Sequence, residues 1–301
     1  MKFICGEYFA ENSKYVFDNG YLDFKGKIYI PKGQDDKNIQ HNKFILYENK
    51  QLNNNYIFAN PNYLKEVLNF LNLSKDKFTL ITHKLDSTIN ENFKNRQGVL
   101  FQDIINHRQI LHWYAQNANI NHKKITYIPI GIECPRIELD QIISQANCLN
   151  NNRINNYLIN FNPNSRYVIN NEREKLTNIL NQKNIYNKFD YSNREQYIED
   201  LTNSYFCLSP MGTGIDCHRT WTALYCGAIP ILTKNYISEK IASFFPALLI
   251  DKWQDLNFDT LNRDLYFKIK QNKLEINDLN LNNFMEILNI FNENPNSINS
   301  I

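Results

Sequence analysis

The stretch from Tyr205 to Lys234, YFCLSPMGTGIDCHRTWTALYCGAIPILTK, leaves this chain few ways to fold. Its first apolar run, Tyr205 to Leu208, is short enough for a buried strand. Ser209-Pro210-Met211-Gly212-Thr213-Gly214 then forms a loop whose two glycines let backbone amides come close to a ligand. Asp216 is the expected N-cap of a helix over His218 to Cys226, closed by Gly227. A second apolar run, Ala228 to Leu232, reads as the next buried strand. Strand, glycine loop, helix and strand make a βαβ unit, so the fold class is α/β with a parallel sheet.

The loop of such a unit lies at the carboxyl end of a strand, where open α/β sheets bind ligands. The helix start carries a partial positive charge and unused N–H groups, which favour an anion. Arg219, in the first turn, adds a forked donor that is always charged. A Gly-Thr-Gly turn between strand and helix is common without any ligand. The expectation of an anion site therefore rests on the cluster: Ser209, Gly212, Thr213, Gly214, His218 and Arg219 around one helix start.

The rest of the chain alternates in the same way. Strands are expected at Lys43–Tyr47, Tyr56–Ala59, Phe78–Thr82, Ile125–Ile130, Tyr157–Phe161 and Ala247–Ile250. Helices are expected at 62–73, 172–180, 193–201, 238–244, 261–269 and 281–291, with Leu111–Gln116 as the end of another that starts before His107. Ser192 is the expected cap of the helix at 193. The polar, asparagine-rich passage QANCLNNNRINN marks a boundary between two α/β domains. We place them at 1–150 and 151–285, followed by a tail at 286–301.

With 301 residues, 43% hydrophobic and 13% aromatic, the chain can build two cores. The mean hydropathy of −0.52 comes largely from asparagine, roughly one residue in six. A net charge of +2 gives no field that would gather nucleic acid, so no nucleic-acid partner is expected. Six cysteines (Cys5, Cys134, Cys148, Cys207, Cys217, Cys226) form no CxxC pair, and three sit in or beside buried elements, as reduced core thiols do. The polar N-terminus is unlike a signal peptide, and no apolar run reaches the ~20 residues of a membrane span. A cytoplasmic protein is expected, with peripheral membrane contact left open.

The block Ser209, Pro210, Gly212, Gly214, Asp216, His218, Arg219, Trp221, Gly227, Ile229, Pro230 and Ile231 resembles the donor-site signature of exostosin-type glycosyltransferases and their bacterial and viral relatives. Thr82-His83-Lys84-Leu85-Asp86 is similar to that family's "T-H-x-x-D". Trp113 to Asn117, followed by Ile128 to Glu133, is similar to its "W-F-x-Q-N … P-I-G-I-E". The likeness spans roughly residues 78–250. It departs at Thr222, where the family usually has a Glu expected on the donor ribose. The resemblance implies two Rossmann-like domains facing a cleft, the GT-B type. It also implies an activity, a metal-independent and inverting transfer of a sugar from a nucleotide-sugar donor to a glycan or lipid-linked glycan acceptor.

Such a transfer must stabilise a departing diphosphate and deprotonate an acceptor hydroxyl. No DxD motif is present to hold a metal; the nearest acidic pair is Asp35-Asp36. No metal or other cofactor is therefore expected, and the helix start with His218 and Arg219 would carry the diphosphate. Thr222 is the candidate ribose contact. Arg173 is either a second phosphate ligand, as the family's "N-F … R" implies, or an exposed helix charge; Arg166 has weaker support. Asp86 is the candidate base, or else a cap or loop charge, and His83 competes with it because imidazole titrates near neutrality. Asn117 and Glu133 could orient substrates or support loops. Trp113 and Trp221 read as core aromatics, and Tyr191 could stack on a base or only pack. Two other functions fit the same anion site: an inactive nucleotide-binding module, or another phosphosugar-binding enzyme.

Overall fold

In the computed structural model, the described residues are 3–18, 45–133, 153–164, 168–187, 189, 194–279 and 283–292. They form an α/β protein with two mainly parallel sheets, in two compact units. The expected boundary near residue 150 lies outside the described residues, as do Asp35, Asp36, Arg166, Tyr191 and Ser192.

The first unit comprises Ile4–Pro135 and Phe284–Asn292. Its strands are β1 (Tyr15–Asp18), β2 (Ile45–Glu48), β3 (Tyr56–Ala59), β4 (Phe78–Thr82), β5 (Ile110–Gln116) and β6 (Ile125–Ile128). They pair in the order β2-β1-β3-β4-β5-β6, and β2 alone runs antiparallel to its neighbour. Its helices before residue 133 include, among the described residues, α1 (Gly6–Glu11), α2 (Leu64–Leu73) and α3 (Phe101–Ile105). Leu64, Val67 and Leu71 of α2 are buried, the helical spacing that predicted it. Leu111–Gln116 is not the end of a helix. It belongs to β5, which lies between β4 and β6 and so is buried over most of its length. A run covered on both faces loses the alternation that would have told strand from helix.

The second unit comprises Met1–Phe3, Arg136–Asn283 and Glu293–Ile301. β7 (Asn155–Leu158), β8 (Ser204–Leu208), β9 (Ile229–Thr233) and β10 (Leu248–Ile250) form a fully parallel sheet in the order β10-β9-β8-β7. Its helices are α4 (Glu172–Gln182), α5 (Arg194–Thr202), α6 (His218–Tyr225), α7 (Tyr236–Phe244) and α8 (Arg263–Lys270). Phe206 and Leu208 of β8 and Ile229 and Ile231 of β9 share one core with Leu176, Leu180 and Tyr266. The alternate positions, such as Cys207, go to the other face. β7 stops at Leu158, so Asn160 and Phe161 belong to the loop beyond the strand, not to the strand expected there.

The expected tail at 286–301 begins inside a helix. α9 (Phe284–Asn292) buries Ile287, Leu288 and Phe291 and packs on β6 of the first unit. Cys207, Cys217 and Cys226 are free thiols, whereas Cys5 is disulfide-bonded. Among the described residues no helix is long and apolar enough to cross a membrane.

Candidate functional site

Because β7 to β10 are parallel, the loops after all four strands gather at one edge. The glycine loop follows β8 and leads into α6. Cys217, not Asp216, is the residue at the helix cap, and its side chain makes no cap hydrogen bond. Asp216 is buried and accepts a hydrogen bond of 2.8 Å from the Trp221 indole instead. The first turn of α6 thus starts without a side-chain cap from Cys217.

Two arginines meet this loop. Arg219 donates from Nε to the Asn160 carbonyl (3.0 Å) and from Nη1 to the Pro210 carbonyl (3.4 Å). Its guanidinium lies 5.9 Å from the centre of the Phe161 ring. Arg173 is 9% exposed and donates to the carbonyls of Met211 (3.0 Å) and Asn162 (3.3 Å). It is therefore not the exposed helix charge that was one of its two expected readings. A Cβ on Gly212 would stand 2.8 Å from Arg173 Nη2 and 3.3 Å from Cys217 Sγ, so only glycine lets the guanidinium lie against the loop. Burial pushes the Cys217 thiol pKa up, and the charges of Arg219 and Arg173 offset this only in part.

The remaining candidates divide by what their side chains already do. Ser209 is 3% exposed and shares a 2.8 Å hydrogen bond with the Thr220 hydroxyl, so it holds the loop to α6. Thr213 is exposed at the tip, and Gly214 is buried, its carbonyl accepting from the Gly212 amide at 3.1 Å. His218 is half-buried at the first position of α6. Thr222 donates to the His218 carbonyl (2.9 Å), a bond back to its own helix that leaves oxygen lone pairs as acceptors. Trp221 is fully buried, as is Trp113, whose indole donates to Thr82 at 2.8 Å.

One residue of this site has no signal in the sequence. Glu172, at the start of α4, is 5% exposed. Its Oε2 accepts from the Met211 amide (2.8 Å), and its Oε1 accepts from Thr233 Oγ1 (2.9 Å) and Trp253 Nε1 (2.6 Å). Two arginines and two acids, Glu172 and Asp216, balance in formal charge. Both acids are buried and take these hydrogen bonds from neutral donors, while the arginines donate to carbonyl oxygens that carry no charge.

The candidates of the first unit lie at the carboxyl edge of its own sheet. His83 is 3% exposed; its Nδ1 accepts from the Lys84 amide (2.9 Å), and its Nε2 donates to the Pro129 carbonyl (3.2 Å). A Cβ on Gly6 would come within 2.8 Å of Nδ1. Both nitrogens are thus engaged, and no ring lone pair is left for a substrate proton. Lys84 Nζ contacts Asp18 (2.8 Å) and Glu7 (3.4 Å). Asp86 is exposed and makes no hydrogen bond among the described residues. Asn117 is buried in a left-handed conformation (φ 58°) and donates to the Leu85 carbonyl, and Glu133 is exposed. No family model and no curated protein sequence matches the chain.

Proposed function

We propose that this chain is a glycosyltransferase that moves a sugar from a nucleotide-sugar donor to a glycan hydroxyl, with the donor's diphosphate at the start of α6. One observation carries the reading: a glycine loop before a helix whose N-cap side chain makes no cap hydrogen bond, with two arginines donating to loop carbonyls, Arg219 to Pro210 and Arg173 to Met211. Fixed donors around a departing diphosphate are what such a transfer needs, and they require no reorganisation as charge develops. Arg219 and Arg173 take the role that a metal ion takes elsewhere, and Asp86 is the proposed base. The exostosin-type likeness, with the GT-B arrangement it implies, belongs to the same proposal.

A panel of UDP, GDP, CMP and their sugars, followed by calorimetry and by nucleotide release, tests it. The expected result is binding of one nucleotide class and turnover that survives excess EDTA. Loss of turnover on chelation, restored by Mn²⁺ or Mg²⁺, would reject the metal-free mechanism. A second reading, a nucleotide-binding module without turnover, draws on Thr222, whose proton is committed to its own helix, and on His83, which is closed off. Binding without nucleotide release would favour it.

A further inference from the structure

We infer that Glu172 is the positioning residue of the glycine-loop site: it holds Met211 so that the adjacent Arg173 can present its guanidinium to the bound diphosphate. This rests on the reading above.

The geometry is a clamp. Glu172 accepts the Met211 N–H at 2.8 Å, and Arg173 Nε donates to the Met211 carbonyl at 3.0 Å. Two neighbouring side chains of α4 thus grip both backbone groups of one loop residue. Just before them the Ile169 amide donates to the Gly212 carbonyl (3.0 Å), so the next residue is held from the same segment. Asn170 and Asn171, both left-handed (φ 56° and 52°), turn the chain so that Glu172 and Arg173 arrive together.

Glu172 reaches further than the loop. Met211 follows β8, Thr233 ends β9, Trp253 follows β10, and α4 itself follows β7. One carboxylate therefore ties together segments from the carboxyl ends of all four strands. Buried, and with both oxygens occupied, it does not contact the ligand; it acts through Met211 and Arg173.

The sign of the Glu172→Gln effect separates this role from the others. A carboxylate acting only as a nearby negative charge would repel a diphosphate, so its loss would tighten binding. A carboxylate that only supports the fold would lower the melting temperature and leave the affinity of the folded protein unchanged. A positioning carboxylate weakens binding when lost, because the amide NH₂ faces the Met211, Thr233 or Trp253 donors and breaks the clamp.

The experiment is calorimetry of the full chain with UDP and with inorganic pyrophosphate, below the melting temperature of every variant. Glu172→Gln is expected to weaken binding by about tenfold or more, a hydrogen bond to a charged group being at stake. Glu172→Asp, one methylene shorter, should weaken it similarly, and serves if the Gln variant does not fold. Thr233→Val and Trp253→Phe each remove a donor but leave the Met211 contact, so they should lower the melting temperature and change affinity less than about threefold. Unchanged or tighter binding in Glu172→Gln and Glu172→Asp overturns the inference while the functional reading stands. If wild type binds neither pyrophosphate nor any nucleoside diphosphate, both fall.

Discussion

At the carboxyl edge of the second sheet, two arginines give their hydrogens to backbone carbonyls. At the same edge of the first sheet, Lys84 gives its hydrogens to two carboxylates, Asp18 and Glu7. The sheets share a fold class, and their strand ends carry cations in both cases. The difference lies in the partner. A carbonyl satisfies the guanidinium's directional hydrogen bonds, whereas a carboxylate in direct contact also pairs the charge. The second edge keeps its two buried acids on neutral donors and its arginines on carbonyls, a site balanced in formal charge whose forked donors stay beside the loop, and the first edge uses its cation to close a buried acid into the structure.

The largest effect should come from the exposed carboxylate of the first edge. Asp86→Asn keeps the shape and removes the charge; if Asp86 is the base, kcat falls about 10²–10⁴-fold with nucleotide affinity unchanged. Steady-state kinetics that show a normal kcat would move the search to Glu133. Next, Arg219→Ala should weaken nucleotide binding by about 2–4 kcal/mol, and Arg219→Lys should recover only part of it, because the fork is gone. Equal affinity in calorimetry would break the comparison at its centre.

Lys84→Met sharpens it from the other side. It takes from Asp18, 1% exposed, the ammonium that lies 2.8 Å from its Oδ2. Chemical denaturation should show a loss of about 1–3 kcal/mol, below the range for a fully buried pair because Lys84 is partly exposed, with nucleotide affinity untouched. Burial lowers the Lys84 pKa, but the charges of Asp18 and Glu7 outweigh it and the net shift is upward. A raised folded-state value means stability that is full below about pH 10.4 and lost as pH rises through the folded value; Lys84→Met should abolish that dependence.

The smallest effect concerns His112 on β5. Burial first, then the charge of Lys124, lowers its pKa. Its stability contribution is present above about pH 6.5 and is lost as pH falls through the folded value, by less than about 1 kcal/mol for a half-buried group. His112→Gln should flatten that part of a stability–pH profile, and an unchanged profile would assign the acid sensitivity to another residue.

The unit around Tyr205–Lys234 was legible because each of its signals is local: apolar runs, loop glycines and a helix stop lie within a few residues of what they determine. Composition marks it too. In a chain where roughly one residue in six is asparagine, none occurs between residues 204 and 234. Glu172 was not legible. Its donors lie 39, 61 and 81 residues away, so it reads as an ordinary acidic residue at a helix start. The surroundings of His83 were hidden for a related reason. The residue type suits a base, but Pro129 and Gly6, which close it off, are distant in sequence. Asp216 has the chemistry of a cap, and a core indole five residues on took its oxygen.

α9 sets an order of events during synthesis. Tyr127 on β6 stacks edge-on to Phe291, and Thr126 donates to Asn292 at 2.8 Å. β6 leaves the ribosome about 150 residues before α9 does, a gap of roughly 8–30 s at ~5–20 residues per second. Through that interval the face of β6 that α9 will cover stays open, while every strand of the second sheet emerges. Of the two sheets, the one made first meets α9 only after the other has emerged.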